Sequence, residues 1–229
     1  KIESMHREKD SENELLARAP RFRLQGEFIR DHALAVSGLL NPMVGGPGVK
    51  PYQPANIWNE VSLNGGLRYK QDQGDKLYRR SMYTYWKRSS PMPNMLIFDS
   101  PSREKCVIQR QRTNTPLQAL VTLNDPQFLE AARAFAERLL KSGKSDPAAR
   151  IDLAYRYATA RLATGREVEI LTQLYQKNLA RFQSSPETAK EFLKVGESPR
   201  DESLDSSEHA AWMVVAQTIM NLDESLTRN

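Results

Sequence analysis

Between Lys50 and Arg112 the chain carries residues that could hold an anion. Arg79, Arg80, Arg88, Arg103, Arg110 and Arg112 stand among Tyr78, Tyr83, Tyr85 and Trp86. A guanidinium fork matches carboxylate, sulfate or phosphate, and aromatic faces stack on flat rings. This stretch holds twelve Lys/Arg against five Asp/Glu, whereas the remainder holds twenty-one against twenty-three. The net charge of +5 is therefore local, which excludes a uniformly basic nucleic-acid coat. The same residues fit two other uses. They could form a scaffold network that caps helix ends, stacks on Tyr and Trp and pairs with Asp99 and Glu104. They could also form a docking surface for another domain. In the scaffold case Arg80→Ala is expected to destabilise the fold.

Other constellations are thinner. Asp99 and Glu104 could serve as acids toward an acidic sugar held by the Arg and Tyr groups. Ser102-x-x-Lys105 and Lys141-Ser142-Gly143 have the spacing of penicillin-recognising enzymes. That chemistry needs the triplet on a strand, whereas Lys141 to Gly143 reads as a helix end, so the spacing reads as coincidence. His6, His32 and His209 are far apart, with no HExxH, HxH or EF-hand loop, and no metal site is expected. The single cysteine, Cys106, excludes an internal disulfide, a CxxC pair and a CxxCH haem attachment. It reads as a small core residue.

The elements that must position these groups read as helix, long irregular middle, then helices. At 229 residues and 39% hydrophobic, the chain can build its own core. Its longest apolar run, Ala210 to Ala216, is too short to span a membrane. Residues 1–14 are charged and expected to fray. Residues 15–229 read as one mainly α, bundle-like domain with a small β hairpin. Helices are expected over 15–40, where Phe22, Phe28, Ile29, Ala33, Val36 and Leu40 form a stripe, with Pro20 separating a short first helix. Residues 41–114 are irregular, punctuated by Gly45-Gly46-Pro47-Gly48. A hairpin is expected near 67–86, where an aromatic-rich arm follows a Gly-containing turn.

Helices fill 115–222. Thr115-Pro116, Asp125-Pro126, Asp146-Pro147 and Ser185-Pro186 each place a cap before Pro at the first helical position. Asp205-x-x-Glu208 opens a last helix whose Trp212, Val215 and Ile219 face one way and Met213, Val214 and Met220 the other, so it should be largely buried.

Several long motifs occur in one order. They are Tyr78-Arg79-Arg80-Ser81-Met82-Tyr83-Thr84-Tyr85-Trp86, Phe98-Asp99-Ser100-Pro101-Ser102-Arg103-Glu104, Arg112-Thr113-Asn114-Thr115-Pro116-Leu117-Gln118, and Leu123-Asn124-Asp125-Pro126. With Gly45-Gly46-Pro47 and Ala211-Trp212, they resemble the C-terminal domain of unknown function of exported planctomycete proteins that often carry a cytochrome-c-like domain. The resemblance spans roughly 15–229 and covers the later part of that domain. It implies export to the periplasm or cell surface and a link to polysaccharide use. It implies partners among other domains of one polypeptide, and acidic polysaccharide as a further one; nucleic acid is not expected. No cofactor is expected in this chain, with haem placed in a domain outside it. The resemblance supplies no catalytic residues. The reading is therefore an accessory, non-catalytic binding or scaffold domain, the alternative being part of a polysaccharide-active enzyme or redox system.

Overall fold

The structure, a computed structural model, describes residues 8–15, 21–62 and 68–228. The chain is mainly helical, with one small two-stranded antiparallel β element. Its helices are α1 Gly26–Ser37, α2 Pro93–Ile97, α3 Pro116–Asn124, α4 Pro126–Leu140, α5 Pro147–Thr159, α6 Gly165–Ser184, α7 Pro186–Phe192, α8 Ser206–Met220 and α9 Asp223–Leu226. The short helix expected before Pro20 falls largely on residues 16–20, outside the described residues, as do residues 1–7 of the N-terminal stretch.

Side-chain capping sets the starts of α4, α5, α6 and α8. Asp125 accepts from Gln127 N, Asp146 from Ala148 N and Ala149 N, and Asp205 from Glu208 N. Thr164 and Glu167 close a reciprocal capping box at α6. Thr115 and Ser185 depart from the expected pattern: both precede the Pro of a helix, but neither side chain accepts a cap bond. α5 stops at Thr159, because Ala160 turns left-handed at φ 59°.

α4 and α8 make the centre. Ala131, Ala132, Phe135, Ala136 and Leu139 meet Ala210, Ala211, Trp212, Val215, Ala216 and Ile219, all fully buried. The alanines let the two helices approach closely. Trp212 and Tyr175 of α6 add a ring pair at 4.7 Å. The expectation that α8 is buried on both faces is met by Met213 and Met220.

The β element lies elsewhere than expected. β1 Phe22–Arg23 pairs with β2 Thr227–Arg228, fastening the start of α1 to the end of the chain. Within 68–86 there is no hairpin; residues 63–67 lie outside the described ones. Instead, Gly74–Tyr78 and Ser81–Tyr83 are single 3-10 turns, and Arg79 and Thr84 each make one parallel bridge, to Asn41 and Val49. The physical reason is competition for the backbone. The carbonyls of Leu77 and Arg79 accept from the buried Arg30 guanidinium, and Ser81 N donates to Asp31. A strand ladder would need the same groups.

Candidate functional site

The arginines of the middle segment go to separate places. Arg79 is buried, its guanidinium donating to the carbonyls of Met43, Gly45 and Pro47 and lying 4.0 Å above the Tyr83 ring. It thereby holds the Gly-rich loop in place. The Tyr83 hydroxyl reinforces this by accepting from Gly45 N at 2.8 Å. Arg80 is 43% exposed and sits 3.9 Å from Asp31. Arg88 is exposed. Arg103 stacks on Trp86 at 4.6 Å on the surface, and Trp86 Nε1 donates to the Ser102 carbonyl. Arg110 donates from Nη1 to both carboxylate oxygens of Glu27 and to Gln25 Oε1, at the start of α1. Arg112 stacks on Phe22 at 4.5 Å.

Tyr78 is buried, while Tyr85 is partly exposed beside Trp58. Asp99 accepts from Thr113 N and Oγ1, and Glu104 is exposed. Asp99, Arg110 and Arg112 share one cavity with Arg23 and Gln118, but it offers only about 10 Å³. That is room for roughly one water and excludes a sugar ring.

The buried structural role expected of Arg80 falls to Arg79 instead. Arg80→Ala is expected to change stability by no more than about 0.5 kcal/mol, because an exposed pair near 4 Å is worth little. Arg79→Ala is expected to cost about 2 kcal/mol; the freed carbonyls lie on an exposed loop and regain water. Urea unfolding of the two variants side by side checks this.

The most concentrated buried polar centre lies on α1 and α4. Arg30 is fully buried and donates to Leu77 O at 2.6 Å, Arg79 O at 2.8 Å, Ser81 Oγ at 3.1 Å and Gln127 Oε1 at 3.1 Å. Burial pushes its guanidinium down to about 10, and Asp31 opposes the fall. One turn along α4 from Gln127, the fully buried Glu130 accepts from the Tyr78 hydroxyl at 2.8 Å and from Ser198 N at 2.7 Å. Arg133 lies 3.9 Å from Glu130 and donates to Ser198 O and Oγ.

Burial, with Glu130 nearby, raises the hydroxyls of Tyr52 and Tyr78 far above the usual tyrosine range. His209 accepts from Arg200 and meets the Arg133 carbonyl; burial pushes it down, favouring the neutral ring. This centre is sealed. A Cβ on Gly196 would stand 2.2 Å from Glu130 Cδ, so the 196–198 loop closes directly over the carboxylate. Its chemistry is fastening: it ties the middle segment and the 196–201 loop to α4. Sequence reasoning missed it because Glu130 and Arg133, three apart, read as an ordinary solvated helix pair.

An open cleft of about 610 Å³ lies beside this centre, lined by Gly38, Arg133, Glu137, Arg138, Lys141 and Ser198 among others. Its rim charges are mutually engaged. Lys141 bridges Glu137 and Asp201, and Arg138 caps the Ala35 and Val36 carbonyls.

α3 is built the other way round from an ordinary surface helix. Gln118 and Thr122 are buried, while Leu117, Leu120 and Leu123 are 52%, 53% and 36% exposed. Gln118 Nε2 donates to Ile97 O and Thr113 Oγ1, and the Thr122 hydroxyl pairs with Asn221 Oδ1. Upstream, Val107 is half exposed and Ile108 fully so.

Among the described residues no group of three or more His, Cys, Asp or Glu could hold a metal ion, and no helix is long and apolar enough to cross a membrane. Cys106 is exposed rather than a core residue, because its neighbours Lys105 to Gln109 are all on the surface. Burial pushes both His32 and His209 down, favouring neutral rings.

No match to the chain was found among curated proteins or among solved structures. A protein-family model does match, over residues 1–175. The charged opening stretch, expected to lie outside the resemblance, is thus inside it, whereas α7, α8 and α9 lie beyond the matched span although they share its core. With well over half of its length matched, the chain belongs to the family PSD1, proteins of unknown function (DUF1553).

Proposed function

We propose that this chain is an accessory, non-catalytic scaffold domain of a larger exported, cytochrome-c-associated protein. One observation carries the reading: the buried charges fasten loops. Arg30, Arg79 and Arg133 donate to backbone carbonyls of the middle segment and of the 198 loop, and Glu130 accepts from a backbone amide beneath a sealed turn. Charges held this way make an irregular segment rigid at the cost of being reachable by a substrate. In this reading haem belongs to another domain, and the protein works in the periplasm or at the cell surface.

A specific observation favours the alternative, an acidic-glycan site. Lys50 Nζ lies 5.3 Å from the partly exposed Tyr85 ring and 5.7 Å from Trp58, over which Lys87 Nζ also lies at 4.7 Å. Cations beside an open aromatic face suit a carboxylated or sulfated sugar. One binding series decides between the readings: sulfated polysaccharide, uronate polymer, neutral glycan and DNA at rising salt. The scaffold reading expects no binding, or weak binding to all polyanions that salt erases. Selective binding to one acidic glycan that survives moderate salt and is lost with Lys50→Met and Tyr85→Ala overturns it.

A further inference from the structure

We propose that His209 is a proton-operated latch. As a neutral ring it holds the 196–206 segment closed over Glu130, and as a charged ring it lets that segment go. This goes beyond the scaffold reading, because it makes one of the fastenings depend on acidity.

The two partners of the ring fix its state. His209 is fully buried on α8. Its Nε2 lies 3.0 Å from the Arg133 carbonyl, which can only accept, so Nε2 carries the proton. Its Nδ1 lies 3.3 Å from Arg200 Nε, which can only donate, so Nδ1 is bare. A second proton has one place to go, Nδ1, where it meets the Arg200 N–H head-on. The bond is then lost and two cations stand side by side. Arg133 of α4 adds to the repulsion, and Glu137 of α4 works against it. The other charges around α8 are engaged elsewhere: Glu208 with Arg150 of α5, Glu187 with Lys190 on α7, and Glu224 of α9 with Arg161.

Arg200 is what the ring holds. Its Nη2 donates to Leu204 O and Ser206 Oγ, gathering the segment against the start of α8. The same segment sends the amides of Glu197, Ser198 and Asp201 to Tyr52, Glu130 and Glu137. None of residues 196–206 is fully buried, so the segment can lift as a local unit while α4 and α8 stay packed.

The direction of the effect follows. In the closed form burial holds the ring low. Once the segment lifts, the ring meets water and returns toward its ordinary value of about 6.5. The open form therefore binds the extra proton, so closure is complete above about pH 6.5 and weakens as the pH falls below it. Glu137, despite its burial, and Asp201 are held below the usual carboxylate range by Lys141, so both stay charged through this window.

Hydrogen exchange of the whole chain at pH 7 and pH 5, corrected for intrinsic rates, tests the latch. Amides of Glu197, Ser198 and Asp201 are expected to lose about tenfold in protection at pH 5, while those in the middle of α4 and α8 lose less than about twofold. His209→Gln, whose amide can both donate and accept without titrating, should remove the loss. His32→Gln, at the other buried histidine, should leave it in place. If His209→Gln does not fold, the nitrogen shifts of the wild-type imidazole decide: at pH 7 they should show a neutral ring protonated on Nε2. Equal protection of the segment at both pH values overturns the proposal, as does an equal loss throughout α8. So does a loss that persists in His209→Gln or vanishes in His32→Gln, or a ring protonated on Nδ1 at pH 7.

Discussion

Gly196→Ala is expected to destabilise the protein by about 3 kcal/mol or more. Two effects add. Gly196 sits at φ 82°, a left-handed conformation that costs an L-residue about 1–2 kcal/mol. The new methyl would also stand 2.2 Å from Cδ and 2.5 Å from Cγ of Glu130. Glu130 cannot swing aside, because it is fully buried and holds Tyr78 and Ser198. Overpacking of this kind typically costs a further 1–3 kcal/mol.

Gly143 supplies the control. It sits at φ 75° with nothing within 4 Å of a built Cβ, so Gly143→Ala should show the backbone cost alone. Denaturant unfolding of both variants separates the terms. A cost for Gly196→Ala within about 0.5 kcal/mol of that for Gly143→Ala would refute the closure of the loop over Glu130. A double variant with Glu130→Ala should lose less than the sum of the singles, because the clash is shared.

Arg30→Met is expected to cost about 3–5 kcal/mol, the usual range for stranding the partners of a buried charge. Met replaces the aliphatic stem but none of the donors. Leu77 O, Arg79 O, Ser81 Oγ and Gln127 Oε1 each lose a bond inside the protein, where water does not readily replace it. Although burial lowers the guanidinium to about 10, it remains charged at neutral pH, so the full charge-assisted bonding is present there. For a chain of this length the loss corresponds to a fall of about 6–20 °C in midpoint. Hydrogen exchange should locate the damage: amides of Gly74–Thr84 lose protection while those of α8, buried in the alanine-rich centre and making no bond to Arg30, keep it. Arg30→Lys should recover only part, because an ammonium cannot span four acceptors in a fork. A midpoint change below about 4 °C for Arg30→Met would mean that the middle segment does not depend on this arginine.

Both expectations concern residues that sequence reading passed over, and the reason is the same in each. Arg30 and Glu130 sit in helices whose neighbours predict amphipathic character, and a charge there reads as solvent-facing. Only the arrival of a distant segment covers it: residues 77–81 over Arg30, and 196–198 over Glu130. Arg79 and Arg80 illustrate the limit at a single step. They are adjacent and identical in type, yet one is 1% exposed and the other faces Asp31 across the surface. Nothing in composition separates them; which side of the chain meets the Gly-rich loop does.

What the amino-acid sequence determined by itself is what short-range chemistry controls. Asp before Pro started α4 and α5, Asp205 and Glu208 started α8, and two apolar faces announced that α8 is central. These signals act within one or two turns, so no distant partner can change them. The tertiary structure alone decided the rest. It put the β pairing at 22–23 and 227–228 rather than near 67–86, because the backbone of that segment was claimed by Arg30 and Asp31. It spread the arginines over separate tasks instead of one groove. It also turned α3 polar side inward, since Gln118 and Thr122 found partners on Ile97, Thr113 and Asn221 that the leucines could not use.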